Sequence, residues 1–425
     1  MSSTLTAARP ARTAPALRIG PLELDAPVVL APMAGITNTA FRRLCREFGD
    51  GVGAGETTGA GETTGAGETT GAGTTTGAGT SSAGRMLFVS EMITSRALVE
   101  RTPESMRLIR HHPSESVRSI QLYGVDPRTV AEAVTMLVAE DRADHIDLNF
   151  GCPVPKVTRK GGGAALPWKL PLFRQIVEGA VTAAGDIPLT VKMRKGIDAD
   201  HLTYLEAARA AEGAGVASIA LHARTASEFY SGHADWSAVA ALKEAITSVP
   251  VLGNGDIWSA EDALRMMAET GCDGVVVGRG CLGRPWLFGD LAAAFAGADE
   301  RFRPSLGQVA AAFRRHAELL ADFFESEERG CRDIRKHVAW YFKGYAVGGD
   351  LRARLATVES LAQLDELLAT LDWTQPYPGE AAEGQRGRAG SPKIPSLPER
   401  WLDSRELDAG QRDAVSAAEI HHSGG

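Results

Sequence analysis

Short apolar runs alternate with helix-forming stretches along most of this chain, and that alternation limits its fold more than any other feature. "PVVLAPMAG" (27–35) reads as a buried strand and "NTAFRRLCREFG" (38–49) as a helix with an Asn start and a Gly stop. "LFVSEM" (87–92) follows, then "SIQLYG" (119–124) with a helix near 127–140 and "HIDLNF" (145–150) with a helix near 170–184. "LTVKMRKG" (189–196), "SIALHART" (218–225), "VLGNGDI" (251–257) and "GVVVGRG" (274–280) each lead toward another helical stretch. Strands rich in Val, Ile and Leu, each followed by a helix, predict a parallel sheet covered on its outer face. Eight such units over roughly 250 residues fit a closed (β/α)8 TIM barrel, an α/β fold, with a doubly wound open sheet as the structural rival.

The barrel is expected over 17–300. At 425 residues and 44% hydrophobic, the chain has room for a further small domain. After residue 300 the strands stop. "VAAAFRRHAELLADFFESE" and "LATVESLAQLDELLATL" carry helical periodicity around "GCRDIRKHVAWYFKGY" (330–345), so 301–375 reads as a helical domain. From Pro376 onward Pro, Gly, Ser and charged residues dominate, predicting a disordered tail over 376–425. Residues 1–16 share features with an organelle transit peptide but read as a disordered N-terminal tail. Between 53 and 82 a hexapeptide is written five times, from GAGETT to GAGTSS. Its Gly-Thr composition lacks the apolar residues a β-helix turns inward, and no Lys or Arg lies between Asp50 and Gly84 to serve a phosphate loop. A low-complexity flexible insertion over 53–84 is expected, tolerable because each doubling of loop length costs only about 0.6 kcal/mol.

The five cysteines, with no Cys-x-x-Cys pair, fit neither a disulfide framework nor a zinc knuckle and point to a reducing cytoplasm. No metal ligands are evident, and no apolar run approaches the roughly 18 residues needed to span a bilayer. The net charge of −8 argues against a globally basic coat for nucleic acid, so any such contact must be local.

In a barrel of this kind the working groups lie at the carboxyl ends of the strands. Met33, Gln121, Asn149, Cys152, Lys192 and His222 fall there, and strands seven and eight end in "GNGDI" and "GRG". Glycines at those two ends let backbone N–H groups approach a phosphate, and Arg279 adds a guanidinium, so a phosphorylated ligand across the mouth is expected. Each residue has a plainer reading: Lys192 as a carboxylate's partner, His222 as a core histidine, Gln121 and Asn149 as structural amides. Cys152 sits between Gly151 and Pro153 where a strand must end, and its thiol, mostly protonated at neutral pH, can donate a proton or attack.

"APMAGITNTAFRRLCREFG", "VSEMITSRALVE", "DLNFGCPVPKV", "VKMRKG", "HART…YSGHADW", "GNGDI" and "GRG" together resemble the tRNA-dihydrouridine synthases, most closely the bacterial DusB-type branch. The resemblance covers about 17–370 apart from the insertion. It implies an enzyme carrying FMN that reduces the C5=C6 bond of uridine in tRNA with NADPH as reductant, the hydride going to C6 while Cys152 protonates C5. By the same resemblance Pro32, Met33 and Ala34 line the flavin, Gln121 and Lys192 contact its ring system with His222 nearby, and Asn254, Gly255, Asp256, Gly278 and Arg279 hold the ribityl phosphate. Asn149 positions the base. In Arg329 to Lys343 five of fifteen residues are Arg or Lys, beside Trp340, Tyr341 and Phe342. That stripe, with Arg332, Arg335, Lys336 and Lys343, is expected to grip tRNA, helped by Arg159 and Lys160. A monomer is expected. The rival functions are an FMN-barrel reductase of a small molecule, resembling dihydroorotate dehydrogenase, and a non-catalytic RNA- or flavin-binding protein.

Overall fold

The computed structural model describes residues 16–49, 85–387 and 389–420. The repeat insertion and the N-terminal residues 1–15 lie outside the described residues. An antiparallel hairpin opens the fold, β1 (Leu17–Ile19) and β2 (Leu22–Leu24), turning at Gly20 with φ +56°. Sequence reasoning missed it. Leu17, Ile19 and Leu24 pack with Val29, Leu87, Ala220, Leu252 and Val276, so the hairpin plugs the amino-terminal end of the barrel interior.

The parallel sheet comprises β3 (Val28–Leu30), β4 (Leu87–Phe88), β5 (Met92–Thr94), β6 (Ser119–Tyr123), β7 (His145–Phe150), β8 (Leu189–Arg194), β9 (Ser218–His222), β10 (Val251–Asn254) and β11 (Gly274–Val277). Its order, β4-β3-β11-β10-β9-β8-β7-β6-β5, begins and ends on two pieces of one stretch, 87–94. Val89 N–H donates to the Leu30 carbonyl on one side, and Ser90 N–H to the Ser119 carbonyl on the other at 3.1 Å. The ring is thereby closed, with β4 and β5 sharing the place of the second barrel strand, and the expected (β/α)8 architecture is present. The open-sheet rival is excluded. Helices cover the outside, among them Thr39–Gly49, whose first turn is capped by the Asn38 side chain, and Ala260–Thr270, closed by a Ser259–Asp262 capping box and ended by Gly271 at φ +68°.

The helices after the barrel include Leu306–Phe324 and Glu327–Ile334, packed so closely at Gly330 that a Cβ there would lie 2.4 Å from the Ala321 nitrogen. Ala40, Leu44 and Trp286 of the barrel share one apolar cluster with Phe313, Leu320, Tyr341 and Phe342 of this unit. A continuous core thus fixes the helical unit beside the mouth. Among the described residues no helix is long and apolar enough to cross a membrane.

The expected disordered tail over 376–425 is corrected for its described part. Residues 376–387 and 389–420 run back across the barrel, ending in the helix Ala409–Ile420. Trp401 is 1% exposed and donates its indole N–H to the Ala165 carbonyl at 3.0 Å. Lys169 Nζ donates to the Ser404 and Glu406 carbonyls, both at 2.8 Å. Composition misled here because order comes from a few inserted side chains, which leave no periodic signal.

One buried ion pair ties the first helix to the loop before β6. Arg42 Nε and Nη2 donate to the two Glu115 carboxylate oxygens at 2.8 and 2.9 Å, both side chains fully buried. Burial alone would raise the Glu115 carboxyl, but the Arg42 guanidinium outweighs it and holds the group below its usual range. Its contribution to stability is therefore complete at neutral pH and is lost as pH falls through the depressed value. Glu115→Ala, which leaves Arg42 buried without its partner, is expected to cost about 3–5 kcal/mol, measured by urea unfolding. An unchanged midpoint would contradict the clamp.

Candidate active site

A cavity of about 420 Å³ opens at the carboxyl ends of the strands. Pro32, Met33 and Ala34 after β3, Gln121 on β6, Asn149 and Cys152 at the end of β7, Lys192 on β8 and His222 on β9 all line it. So do Asn254, Gly255 and Asp256 after β10 and Gly278 and Arg279 after β11. Residues separated by more than two hundred positions in sequence meet here because each lies on, or closely follows, a barrel strand.

The turn that carries Cys152 is built by Asn149. Its Oδ1 accepts the N–H groups of Gly151 and Cys152 at 3.0 and 2.9 Å, ending the strand and setting the turn. Its Nδ2 donates to Gln121 Oε1 at 3.0 Å, and Gln121 Nε2 donates to Asp147 Oδ2 at 2.7 Å. Thr190 donates to the other Asp147 oxygen at 2.6 Å. Burial pushes the Asp147 carboxyl up to about 6 against these hydrogen bonds. From the far side, Arg194 Nε donates to the Gly151 carbonyl at 2.9 Å and its Nη1 to the Thr225 and Phe229 carbonyls. Sequence reasoning missed Arg194, although its place two residues after Lys192 on β8 puts it on the same face.

Burial also sets the charges. It raises the Cys152 thiol above its ordinary value, so the group stays protonated at neutral pH. It lowers the Lys192 ammonium to about 8, with Arg194 adding to the effect. His222 is pushed well below its usual range by burial and then by Arg194 and Lys192, which keeps the imidazole neutral. The buried His222 Nδ1 has no hydrogen-bond partner among the described residues. At the opposite end of the cavity, the Arg279 guanidinium lies 4.3 Å over the Tyr230 ring and 5.1 Å over the Trp258 ring. Asp256, at φ +54°, accepts from Arg224 Nη2 at 2.8 Å and the Ala234 N–H at 2.7 Å. Its carboxylate thus orients the basic groups. Gly255 at φ +126° cannot be replaced without strain, since its Cβ would lie 2.7 Å from that of Ala234. Tyr230, which opens the "YSGHADW" motif without having been assigned a role, also lines the cavity with Phe229 and Trp258, which nothing in the sequence pattern marked.

The basic residues expected to grip RNA are not brought into the cavity. Arg159 is exposed and Lys160 half-buried on the loop beyond Cys152. Arg332 pairs with Glu328 at 2.9 Å, Arg335 donates to the Val358 and Thr357 carbonyls, Lys336 bonds Asp333 and the Gly35 carbonyl, and Lys343 bonds the Glu383 and Gln385 carbonyls. Of the neighbouring aromatics, Tyr341 and Phe342 are core residues and Trp340 lines the cavity.

A protonated thiol, a neutral imidazole and a buried lysine in one pocket, with a guanidinium and glycine-rich strand ends opposite, stand at the carboxyl ends of the barrel strands, where enzymes of this fold carry their active sites. The dihydrouridine synthase (Dus) family model matches residues 29–375, and the chain belongs to that family. It is 53% identical over 398 residues to a probable tRNA-dihydrouridine synthase of Mycobacterium tuberculosis, covering 93% of this chain and 94% of that one. The corresponding Mycobacterium leprae protein is 52% identical over 93% of this chain and all of its own length. A tRNA-dihydrouridine synthase B of Pasteurella multocida is 35% identical over 77% of this chain and 87% of its own.

The four other cysteines are buried, whereas Cys152 is half-buried. Iodoacetamide is therefore expected to label Cys152 first, at a rate that rises with pH and inflects above the ordinary thiol value of about 8.5. Inflection at or below that value would contradict a protonated thiol.

Proposed function

We propose that this chain reduces the C5=C6 bond of uridine in tRNA to dihydrouridine, with FMN bound in the cavity and NADPH as reductant. The observation that carries this reading is the protonated Cys152 thiol on the rim of the pocket that gathers Lys192 and His222. FMN, when bound, supplies the hydride that reaches C6 of the uracil ring. Cys152 gives its proton to C5, and burial, which keeps the thiol neutral, suits it to that task. Asn149 accepts the Gly151 and Cys152 N–H groups and so holds the turn that sets the thiol against the base, which it would help to position from the cavity wall.

Lys192 and His222 would hold the polar edge of the flavin ring, answering the unpartnered His222 Nδ1, and Gln121, fixed between Asn149 and Asp147 on the cavity wall, would contact the ring beside them. Pro32, Met33 and Ala34 would form its apolar wall. The phosphate would meet Arg279 and the backbone around Asn254, Gly255 and Gly278, with Asp256 orienting Arg224 and leaving the anion to the guanidinium groups. A uridine stacked in a folded RNA cannot reach this depth, so the nucleotide must be turned out of its stack. Exposed Arg159 and Arg332 remain available to phosphate, while Arg335, Lys336 and Lys343 would act chiefly by holding the helical unit and the C-terminal segment at the mouth.

The test is dihydrouridine formation from unmodified tRNA and NADPH, measured by mass spectrometry beside Cys152→Ala. Product with the wild type, and about 10²-fold less or lower still with a variant that retains its flavin, is expected. Steady NADPH oxidation by flavin-loaded protein without dihydrouridine would instead favour a small-molecule reductase. Lys192→Met and Arg279→Ala are expected to lower FMN retention on gel filtration; full retention by both would refute the cofactor placement.

A further inference from the structure

The C-terminal segment lies beyond the family match, which ends at residue 375, yet it is built into the mouth of the barrel. Arg386, 4% exposed, donates to the Ala382 carbonyl and to that of Trp340, and Gly387 lines the cavity beside Arg279. Lys393 N–H then donates to the Ser227 carbonyl at 2.8 Å on the loop after β9. The segment reaches the loop after β7 at Trp401, preceded by Arg400 in the left-handed region at φ +55°. Backbone strain of that kind persists where surrounding contacts over-determine it.

Trp401 closes over a turn that ends on Cys152. A Cβ at Gly161 would lie 2.5 Å from the indole ring, so only glycine admits Trp401 at this distance. The indole N–H donates to the Ala165 carbonyl at 3.0 Å, and the adjacent Ala164 N–H donates to the Cys152 carbonyl, also at 3.0 Å. At Gly163, φ +54°, a Cβ would lie 2.4 Å from the same Cys152 oxygen. Lys169 locks the wedge from behind, its Nζ 4.9 Å over the Trp401 ring while bonding the Ser404 and Glu406 carbonyls and Gln411 Oε1. Cys152 is thus held from two sides: Asn149 fixes its N–H, and the Gly161–Ala165 turn fixes its carbonyl.

We propose that Trp401 is a positioning residue for the reaction, placing the Cys152 thiol for proton transfer through the Gly161–Ala165 turn. This rests on the reading of Cys152 as the proton donor. A misplacement of about 1 Å at a reacting group can cost on the order of 10²-fold in rate. The segment is in this sense part of the active site's support.

The experiment compares full-length, FMN-loaded wild type with Trp401→Ala, Trp401→Phe and Cys152→Ala on unmodified tRNA with NADPH, normalised to bound flavin. Trp401→Ala is expected to lower kcat at least about tenfold with KM for tRNA within about twofold, the split that marks loss of an interaction needed only in the reaction step. Trp401→Phe, which keeps a ring but loses the N–H bond, should fall between, and iodoacetamide labelling of Cys152 should change in rate in both. Wild-type kcat per flavin in both Trp401 variants would overturn the proposal, as would a loss confined to flavin content or to KM. Should Trp401→Ala fail to retain flavin, Trp401→Phe decides on the same criteria. Cys152→Ala at wild-type rate would instead remove the proton-donor reading itself, a result separable from any behaviour of Trp401.

Discussion

The site depends first on the two hydrogen bonds that Asn149 Oδ1 accepts from Gly151 and Cys152. They end β7 at the level of the cavity and turn the chain so that a thiol stands at the rim instead of continuing along the barrel wall. The Asn149 amide is itself fixed, because its Nδ2 is spent on Gln121, and Gln121 is anchored on Asp147 between β6 and β8. His145 and Ser119 continue the polar layer toward the amino-terminal end of the strands, His145 bonding Ser119 at 2.8 Å and Thr190 at 3.0 Å. A polar chain of this kind inside a barrel is tolerable only when nearly every member is satisfied, and satisfied it specifies one arrangement. The register that places Asn149 beside Lys192, and Arg194 beside His222, follows from the parallel pairing of β7, β8 and β9.

Charge at the mouth follows from that geometry. Lys192, Arg194 and Arg279 line one pocket, and the Asp256 carboxylate, also on its wall, lies 3.6 Å from Arg279 and is bonded to the buried Arg224 behind it. Arg194 and Arg224 are committed to backbone carbonyls of the surrounding loops. They shape the pocket while keeping its interior electropositive. The lowered Lys192 ammonium and the neutral His222 record the same field, and an anionic or electron-rich ligand edge is what such an environment stabilises best. Cys152 experiences burial more strongly than the nearby cations, so its proton is retained.

Much of this was legible in the sequence, and the reasons differ by element. Barrel strands announce themselves because strands covered on both sides must be apolar throughout, and the site residues stood out as polar interruptions at their ends. Every residue expected at the cofactor site lines the one cavity. The β1–β2 hairpin was missed because three-residue strands carry too little pattern. The C-terminal segment was misread since Trp401 and Arg386 order it through single insertions that composition averages away. The basic stripe was legible as charge but not as use: Arg335 and Lys343 turn inward to backbone carbonyls, a choice that tertiary contacts make and spacing does not reveal. Tyr230 and Trp258 come from loops, where no period constrains a side chain's direction.

The central claim is that Cys152 delivers the proton during reduction of the base. The most direct measurement is the single-turnover reaction of anaerobically reduced, FMN-loaded protein with unmodified tRNA, following flavin reoxidation by stopped-flow absorbance. The account predicts reoxidation by the wild type that Cys152→Ala slows by about 10²-fold or more, with tRNA affinity unchanged. Equal rates for the two proteins would contradict it.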